Sequence, residues 1–486
     1  MAASLVGATL WTSCVRYEHK SPHPGWAEQE PQTWWQASAL AIRKMLADHP
    51  ELRDGIQAIG VCGQGAAAVL LDENYQPTRP AILWLDSRSA AEAQRMAETA
   101  GPEIARISGK SPAAYNVEPK LRWVAAHEPE VWKRTKKCMT TTAYVTHQLC
   151  GKPVMNHSDA GILLSYDLRQ RGWSDRLCEL MHVSPDLYCP IEECDEVIGG
   201  VTAGAASETG LRAGIPVIAG GEDTSAAALA AGVVSPDLGI LSLGTAGTIY
   251  TPCLSAATHL RLLSFPHVLK GQTLVGGSTV CGGSGLEWVA RLLGRDSTSC
   301  AVVESLCKEA SAAVTERSRV VFLPYLSGEL QPINDGFARG VFFGADFSTS
   351  GLDMVAAVMQ GTAFAFAHNL EIGREMGCGP STLIATGRPA QNAAFMQMIC
   401  DVTGLPIRVL AEGGGAALGA AILASSVVSG ARSMWETVAY ECTPQNEKRA
   451  RLGELFLIYK ELYCRLADLF PRLQSAEPSY QCAEAG

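Results

Sequence analysis

IPVIAGGEDTSAAALAAG, residues 215–232, is the stretch whose reading decides the fold. Residues 217–220 (VIAG) form an apolar strand that runs into a glycine turn, and an alanine-rich helix over 225–232 follows. Strand, glycine turn and helix in succession point to α/β layers. Asp223 lies where that helix starts. An acid there either caps the helix or faces a ligand, and this stretch alone leaves both readings open.

The same alternation extends in both directions. Upstream, residues 56–61 (IQAIGV) and 68–71 (AVLL) read as strands, and 72–76 (DENYQ) as the turn that ends the second. Apolar spacing predicts helices over 34–46, 118–127 and 140–149. Downstream, Ser235-Pro236-Asp237 has linker chemistry. Residues 239–243 and 247–251 then form a hairpin around Gly244-Thr245-Ala246. Strands follow at 319–324 and 381–385, with helices at 352–373, 392–403, 416–425 and 454–470 and a frayed tail. The expected domains are 1–234 and 238–486.

A chain of 486 residues is long enough for two or three domains, and 47% apolar against 18% charged residues excludes global disorder. The formal charge of −10 argues against nucleic acid or an anionic membrane surface as partner. No apolar run reaches the roughly 18–20 residues of a membrane span. The 16 cysteines are scattered, without a CxxC pair. They read as reduced, buried thiols of a cytoplasmic protein. The opening MAASLVGATLWTSC has no basic residue before Arg16, which argues against a secretory signal. The ten histidines show no metal-ligand spacing, so no protein-bound metal is expected.

Three glycine-rich turns end predicted strands: 220–224 (GGEDT), 243–248 (LGTAGT) and 385–390 (ATGRPA). Glycine lets the backbone approach a ligand, and exposed N–H groups then bind phosphate oxygens. One such turn is ordinary, whereas three point to a nucleotide-phosphate site. Residues 63–68 (GQGAAA) mimic a dinucleotide fingerprint, but a strand and a turn follow instead of the required helix.

These segments, taken in order, resemble the FGGY carbohydrate kinases. The resemblance is carried by PHPGWAEQEPQTWW (22–35), PAILWLDSRSAAEA (80–93), EPKLRWVAAHEPEVW (118–132), residues 215–232, ILSLGTAGTIY (240–250), FLPYLSGELQPINDGFARGVFFG (322–344), LDMVAAVMQGTAFA (352–365) and GGGAALGAAILA (413–424). It implies two RNase H-like domains of the actin and hexokinase type around an interdomain cleft that closes on sugar and Mg²⁺-ATP. Asp223 would be the general base that takes the proton of the attacking sugar hydroxyl. Gly244, Thr245 and Gly247 would hold the β- and γ-phosphates. Gly387, Ala390, Gln391 and Asn392 would lie along the adenosine, although Arg388 and Pro389 stand where the family has further glycines. The sugar side would comprise Gln64, Gly65, Trp84 and Asp86, with core packing the alternative for Trp84. Arg88 would position Asp86 or a helix end. The aromatic cluster 22–26 with Trp34 and Trp35 is expected to be scaffold, and Trp288 core.

Two departures bear on substrate and activity. Gly65-Ala66 replaces the Arg-Glu of glycerol kinases, which counts against glycerol, and the Met-His of xylulokinases, which removes their substrate-contacting His. The resemblance of 322–344 to the xylulokinase type makes D-xylulose the first choice of sugar, with ribulose or erythritol as alternatives. The family's opening Asp-x-Gly-Thr hairpin is not seen ahead of the 22–35 motif. The two explanations are a start placed too far downstream and a relative that binds sugar or nucleotide without phosphoryl transfer. A homodimer is an expectation from the family alone.

Overall fold

The computed structural model describes residues 1–5, 7–313, 319–411, 415–430 and 437–475. Of the tail predicted to fray after residue 470, residues 471–475 belong to a helix, and 476–486 lie outside the described residues. The chain forms two compact units, one of Met1–Pro236, Pro252–Val275 and Gly413–Thr437, the other of Asp237–Thr251, Gly276–Glu412 and Val438–Gly486. The first therefore gathers two segments that follow the linker in sequence.

In the first unit, α1 (Pro31–Asp48) takes proline at its first turn, where the missing N–H costs nothing. The strand predicted over 56–61 is only partly realised. Ile59 makes an isolated parallel bridge to Val217, and regular pairing is confined to β1 (Cys62–Gly63). A cavity of about 590 Å³, lined by Met1, Leu10, Trp11, Ile42, Ile59 and Ala420 among others, borders this segment, whose backbone bonds between strands run to 216–221. After β1 a turn leads into β2 (Val69–Leu71), with no helix between them, as the reading of 63–68 required.

All three β2 side chains are buried, and the strand pairs antiparallel with β3 (Lys137–Met139), ahead of α2 (Thr141–Cys150). Asp72 Oδ1 accepts from the N–H groups of Asn74 and Gln76 at 2.8 and 2.9 Å, which closes the predicted turn. β4 (Pro216–Ile218) then leads through Gly220 to β5 (Gly221–Glu222) and α3 (Asp223–Ala230). Gly220 has φ +80°, and a Cβ there would lie 2.2 Å from the Val61 carbonyl, so the turn needs glycine. The alanines of α3 admit the helix Gly415–Ser429, whose Gly419 would place a Cβ 1.9 Å from the Ala226 carbonyl.

The second unit is built on a mixed sheet. β6 (Leu238–Leu243) and β7 (Gly247–Cys253) form the predicted hairpin, with Leu243 opposite Gly247. With β8 (Thr273–Thr279), β9 (Thr382–Thr386), β10 (Ile407–Leu410) and β11 (Val438–Cys442), the order is β8-β7-β6-β9-β10-β11. β9 lies parallel to both β6 and β10, which accounts for their near-continuous apolar character. Between these strands lie α4 (Gly283–Leu292), the 25-residue α5 (Gly351–Glu375) and α6 (Ala393–Thr403). A Ser350/Asp353 capping box starts α5, and its Phe364 and Phe366 are fully buried. Trp288 stacks on Phe322 and Phe342, which makes it core as expected. The last predicted helix starts earlier, as Asn446–Leu466, followed by a separate Leu469–Ser475. Its polar first turns hid the start.

Candidate active site

In the first unit, β5 runs parallel to β1 with Glu222 opposite Gly63. This sets Asp223, the first residue of α3, beside the 64–66 turn. The helix cap is Glu222, whose Oε2 accepts the Ser225 N–H at 2.9 Å. Capping therefore does not occupy Asp223. Its half-buried carboxylate accepts from the Thr224 hydroxyl at 3.2 Å. Gly65 lies against Glu222, since a Cβ there would sit 3.3 Å from Oε1. Asp159 completes an acidic group. Burial pushes its carboxyl up to about 7, helped by the charge of Asp223, and its Oδ1 has no hydrogen-bond partner.

Lys120 holds the 64–66 turn from below. Its buried ammonium donates to the carbonyls of Ala66 and Tyr115 at 2.7 and 2.6 Å, and burial lowers its pKa to about 7. Ala66 is left-handed at φ 55°, a strained state for alanine that this bond supports. The Gln64 amide N–H donates to Gln29 Oε1 at 3.4 Å, and Gln29 pairs with Ala81 on the short strand that leads to Trp84.

Trp84 is 53% exposed, so it is not core. Asp86 is the opposite case. Its side chain is fully buried, and it accepts from Ala27 N–H and from the Arg88 backbone and guanidinium. Arg88 also binds Glu28 at 2.7 Å and lies 3.7 Å over the Trp26 ring. Arg88 thus positions Asp86, and the carboxylate has its acceptor sites filled. Trp34 and Trp35 are buried and donate to Gln29 and Glu208, which makes them scaffold.

In the second unit three turns converge. Gly244, Thr245 and Ala246 are exposed at the tip of the β6–β7 hairpin. The N–H groups of Gly282 and Gly283, at the start of α4, donate to the carbonyls of Thr245 and Gly244 at 2.9 and 2.8 Å. Gly387, at φ +98°, comes so close that a Cβ would lie 1.9 Å from the Leu243 carbonyl. Pro389 packs on Gly283. The Thr248 hydroxyl is buried beside the turn without a partner. Gln391 and Asn392 spend their side chains on the Leu410 carbonyl and the Phe395 N–H, and Ala390 is buried with its carbonyl bonded to Tyr440. These three can therefore offer a ligand mainly shape.

The model of the FGGY family of carbohydrate kinases, N-terminal domain, matches residues 7–230, and that of the C-terminal domain matches residues 239–427. The chain is an FGGY carbohydrate kinase. It is 33% identical to the xylulose kinase of Escherichia coli, over 85% of this chain and 84% of that protein. It is 28% identical to the xylulose kinase of Bacillus subtilis, over 95% and 93%. The crystal structure of xylulose kinase from Rhodospirillum rubrum superposes with a TM-score of 0.86 at 29% identity, covering 93% of both chains.

As an FGGY kinase the chain is a sugar kinase with the family's two-domain α/β fold. Among the described residues no helix is long and apolar enough to cross a membrane, and no disulfide joins the cysteines. Three features of this kinase were not singled out from the sequence: Glu222, Lys120 and the Gly282-Gly283 pair. The last had a visible signal, a CGGSG run (281–285) between a strand and a helix. Lys120 had none, because nothing in the order of residues brings it under Ala66.

Proposed function

We propose that this FGGY kinase transfers the γ-phosphoryl of ATP to a hydroxyl of a ketopentose, with D-xylulose the first choice. The observation that carries the reading is the division of labour at α3, where Glu222 caps the helix and Asp223 is left to act on a ligand beside Gln64 and Gly65. The names of the relatives support the sugar.

Asp223 accepts the proton of the attacking hydroxyl as its oxygen bonds to phosphorus and the bond to the ADP oxygen breaks. Gln64 and the exposed Trp84 hold the sugar, Trp84 by its apolar face. Asp86 acts through the loop it fixes with Arg88. Gly244 gives its N–H to the Ala246 carbonyl at 2.9 Å and shapes the turn, while the N–H groups of Thr245 and Gly247, with the Thr245 and Thr248 hydroxyls, stabilise phosphate charge. Gly387 and residues 388–392 shape the adenosine side. Mg²⁺ would come with ATP as part of the substrate and would offset phosphate charge there. The protein works in the cytoplasm, as a homodimer.

A second reading, a ketose or polyol other than xylulose, is favoured by Gly65-Ala66. No imidazole stands there, and the Glu222 side chain lies over Gly65. Asp223→Asn tests the mechanism. Turnover should fall by roughly 10²–10⁴-fold with sugar affinity retained, and wild-type turnover would remove Asp223 from the base position.

A further inference from the structure

Lys120, on the helix Val117–His127, is a buried charge that the mechanism does not use. Its ammonium donates to two main-chain carbonyls, Ala66 at 2.7 Å and Tyr115 at 2.6 Å. Neither partner is a carboxylate. Burying an ammonium costs stability, and carbonyl partners offset only part of that cost.

The two carbonyls belong to separate loops. Ala66 stands between Gln64-Gly65 and the buried run 67–71, and its φ of 55° is a conformation that alanine reaches only at a cost. Rotation about that bond would swing the Gly65-Ala66 peptide, and Gln64 with it. Tyr115 belongs to a loop closed by the Ala113 N–H, which donates to Asn116 Oδ1 at 2.8 Å. The Ser89 hydroxyl donates to the Ala114 carbonyl at 3.1 Å, and Ser89 directly follows the segment of Trp84, Asp86 and Arg88. Lys120 therefore fastens the 64–66 turn to a loop that is itself tied to the Trp84 segment.

We propose that Lys120 is a positioning residue for the sugar: through the Ala66 carbonyl it holds Ala66 left-handed, and so fixes where Gln64 and Gly65 stand relative to Trp84. This inference rests on the proposed reading of Gln64, Gly65 and Trp84 as the sugar side. The ammonium, enclosed under the turn, acts through the turn and not on the sugar itself.

The test is a double-variant cycle on the full-length protein: wild type, Lys120→Met, Ala66→Gly and the two combined. Methionine keeps an unbranched side chain and removes the donor. Lys120→Met should raise the sugar KM about tenfold, the worth of one hydrogen bond to a charged group, with the ATP KM within about twofold of wild type. Glycine takes the left-handed conformation without strain, so it needs the brace less. In the Ala66→Gly background the same lysine change should raise the sugar KM by about threefold or less. A lysine that served folding alone would cost the same in either background.

An unchanged sugar KM in Lys120→Met, a parallel rise in the ATP KM, or an equal rise in both backgrounds would each overturn the proposal. If Lys120→Met does not fold, the combined variant decides. Folded, with a sugar KM within about threefold of Ala66→Gly, it supports the brace; unfolded, or with a larger rise, it overturns it. Gln64→Ala separates this inference from the reading beneath it. If that variant keeps the wild-type sugar KM, the sugar side is misplaced, and the melting temperatures of the cycle then decide separately whether positions 66 and 120 are coupled.

Discussion

Trp84 and Asp86 are two residues apart in a segment shared with the sugar kinases, yet they occupy opposite environments. Trp84 is more than half exposed, and Asp86 is sealed among Ala27, Arg88 and the Trp26 side. Their substitutions should separate accordingly. Trp84→Ala should leave the melting temperature within a few degrees and raise the sugar KM about tenfold, the loss expected for one apolar contact face. Asp86→Ala leaves the buried Arg88 guanidinium with Glu28 as its one remaining carboxylate, frees the Ala27 N–H, and should cost about 3–5 kcal/mol of stability. Thermal melts and sugar KM values on both variants check this, and equal effects would contradict the assignment. Neighbouring positions in the sequence gave no sign of the difference, because it depends on how Gly25–Ala27 folds back over Asp86.

At the scale of elements, the phosphate turn is a product of close backbone approach. Gly282 and Gly283 donate to the 244–245 carbonyls, and Gly387 meets Leu243 where no side chain fits. Gly283→Ala would put a methyl 2.6 Å from Pro389 Cγ and 3.0 Å from the Gly244 carbonyl. It should raise the ATP KM about tenfold or more while leaving the sugar KM unchanged, since misplaced donors weaken a preorganised phosphate site. Steady-state kinetics with each substrate varied decides it. Long periodic elements such as Gly351–Glu375 and the hairpin around Gly244 were legible in the sequence, because burial imposes their patterns locally. Residues 56–61 have an equally apolar pattern and yet form little regular strand, because a ladder needs neighbours and, among the described residues, their backbone pairing runs to the 216–221 side. The same limit applies to the site. Asp223 and the glycine turns were readable as motifs. The cap on Glu222 and the lysine under Ala66 arise from contacts between distant segments.

Across the molecule, buried carboxyls link stability to pH. Burial raises Asp159 from 3.8 to about 7 and Glu329 from 4.5 to about 8; Glu329 accepts from Thr279, Val280 and Leu330. Both groups bind a proton in the folded state that the unfolded chain has released above about pH 4.5, so their contribution is complete below that pH and is lost as pH rises through 7 to 8. The wild-type melting temperature should fall from pH 5 to pH 8.5. Glu329→Gln and Asp159→Asn should each flatten part of that fall, which differential scanning calorimetry across pH can measure. A slope unchanged in both variants would show that the two carboxyls are not the source.

The central claim is that the chain is a working sugar kinase whose base is Asp223. It is tested most directly by coupled ADP release from Mg²⁺-ATP, comparing wild type with Asp223→Asn over D-xylulose, L-xylulose, D-ribulose, L-ribulose, erythritol, glycerol and a sugar-free blank. The predicted result is sugar-dependent turnover that is highest with D-xylulose and is lost in Asp223→Asn. Sugar-independent ADP release, no release with any sugar, or equal turnover in the variant would contradict it.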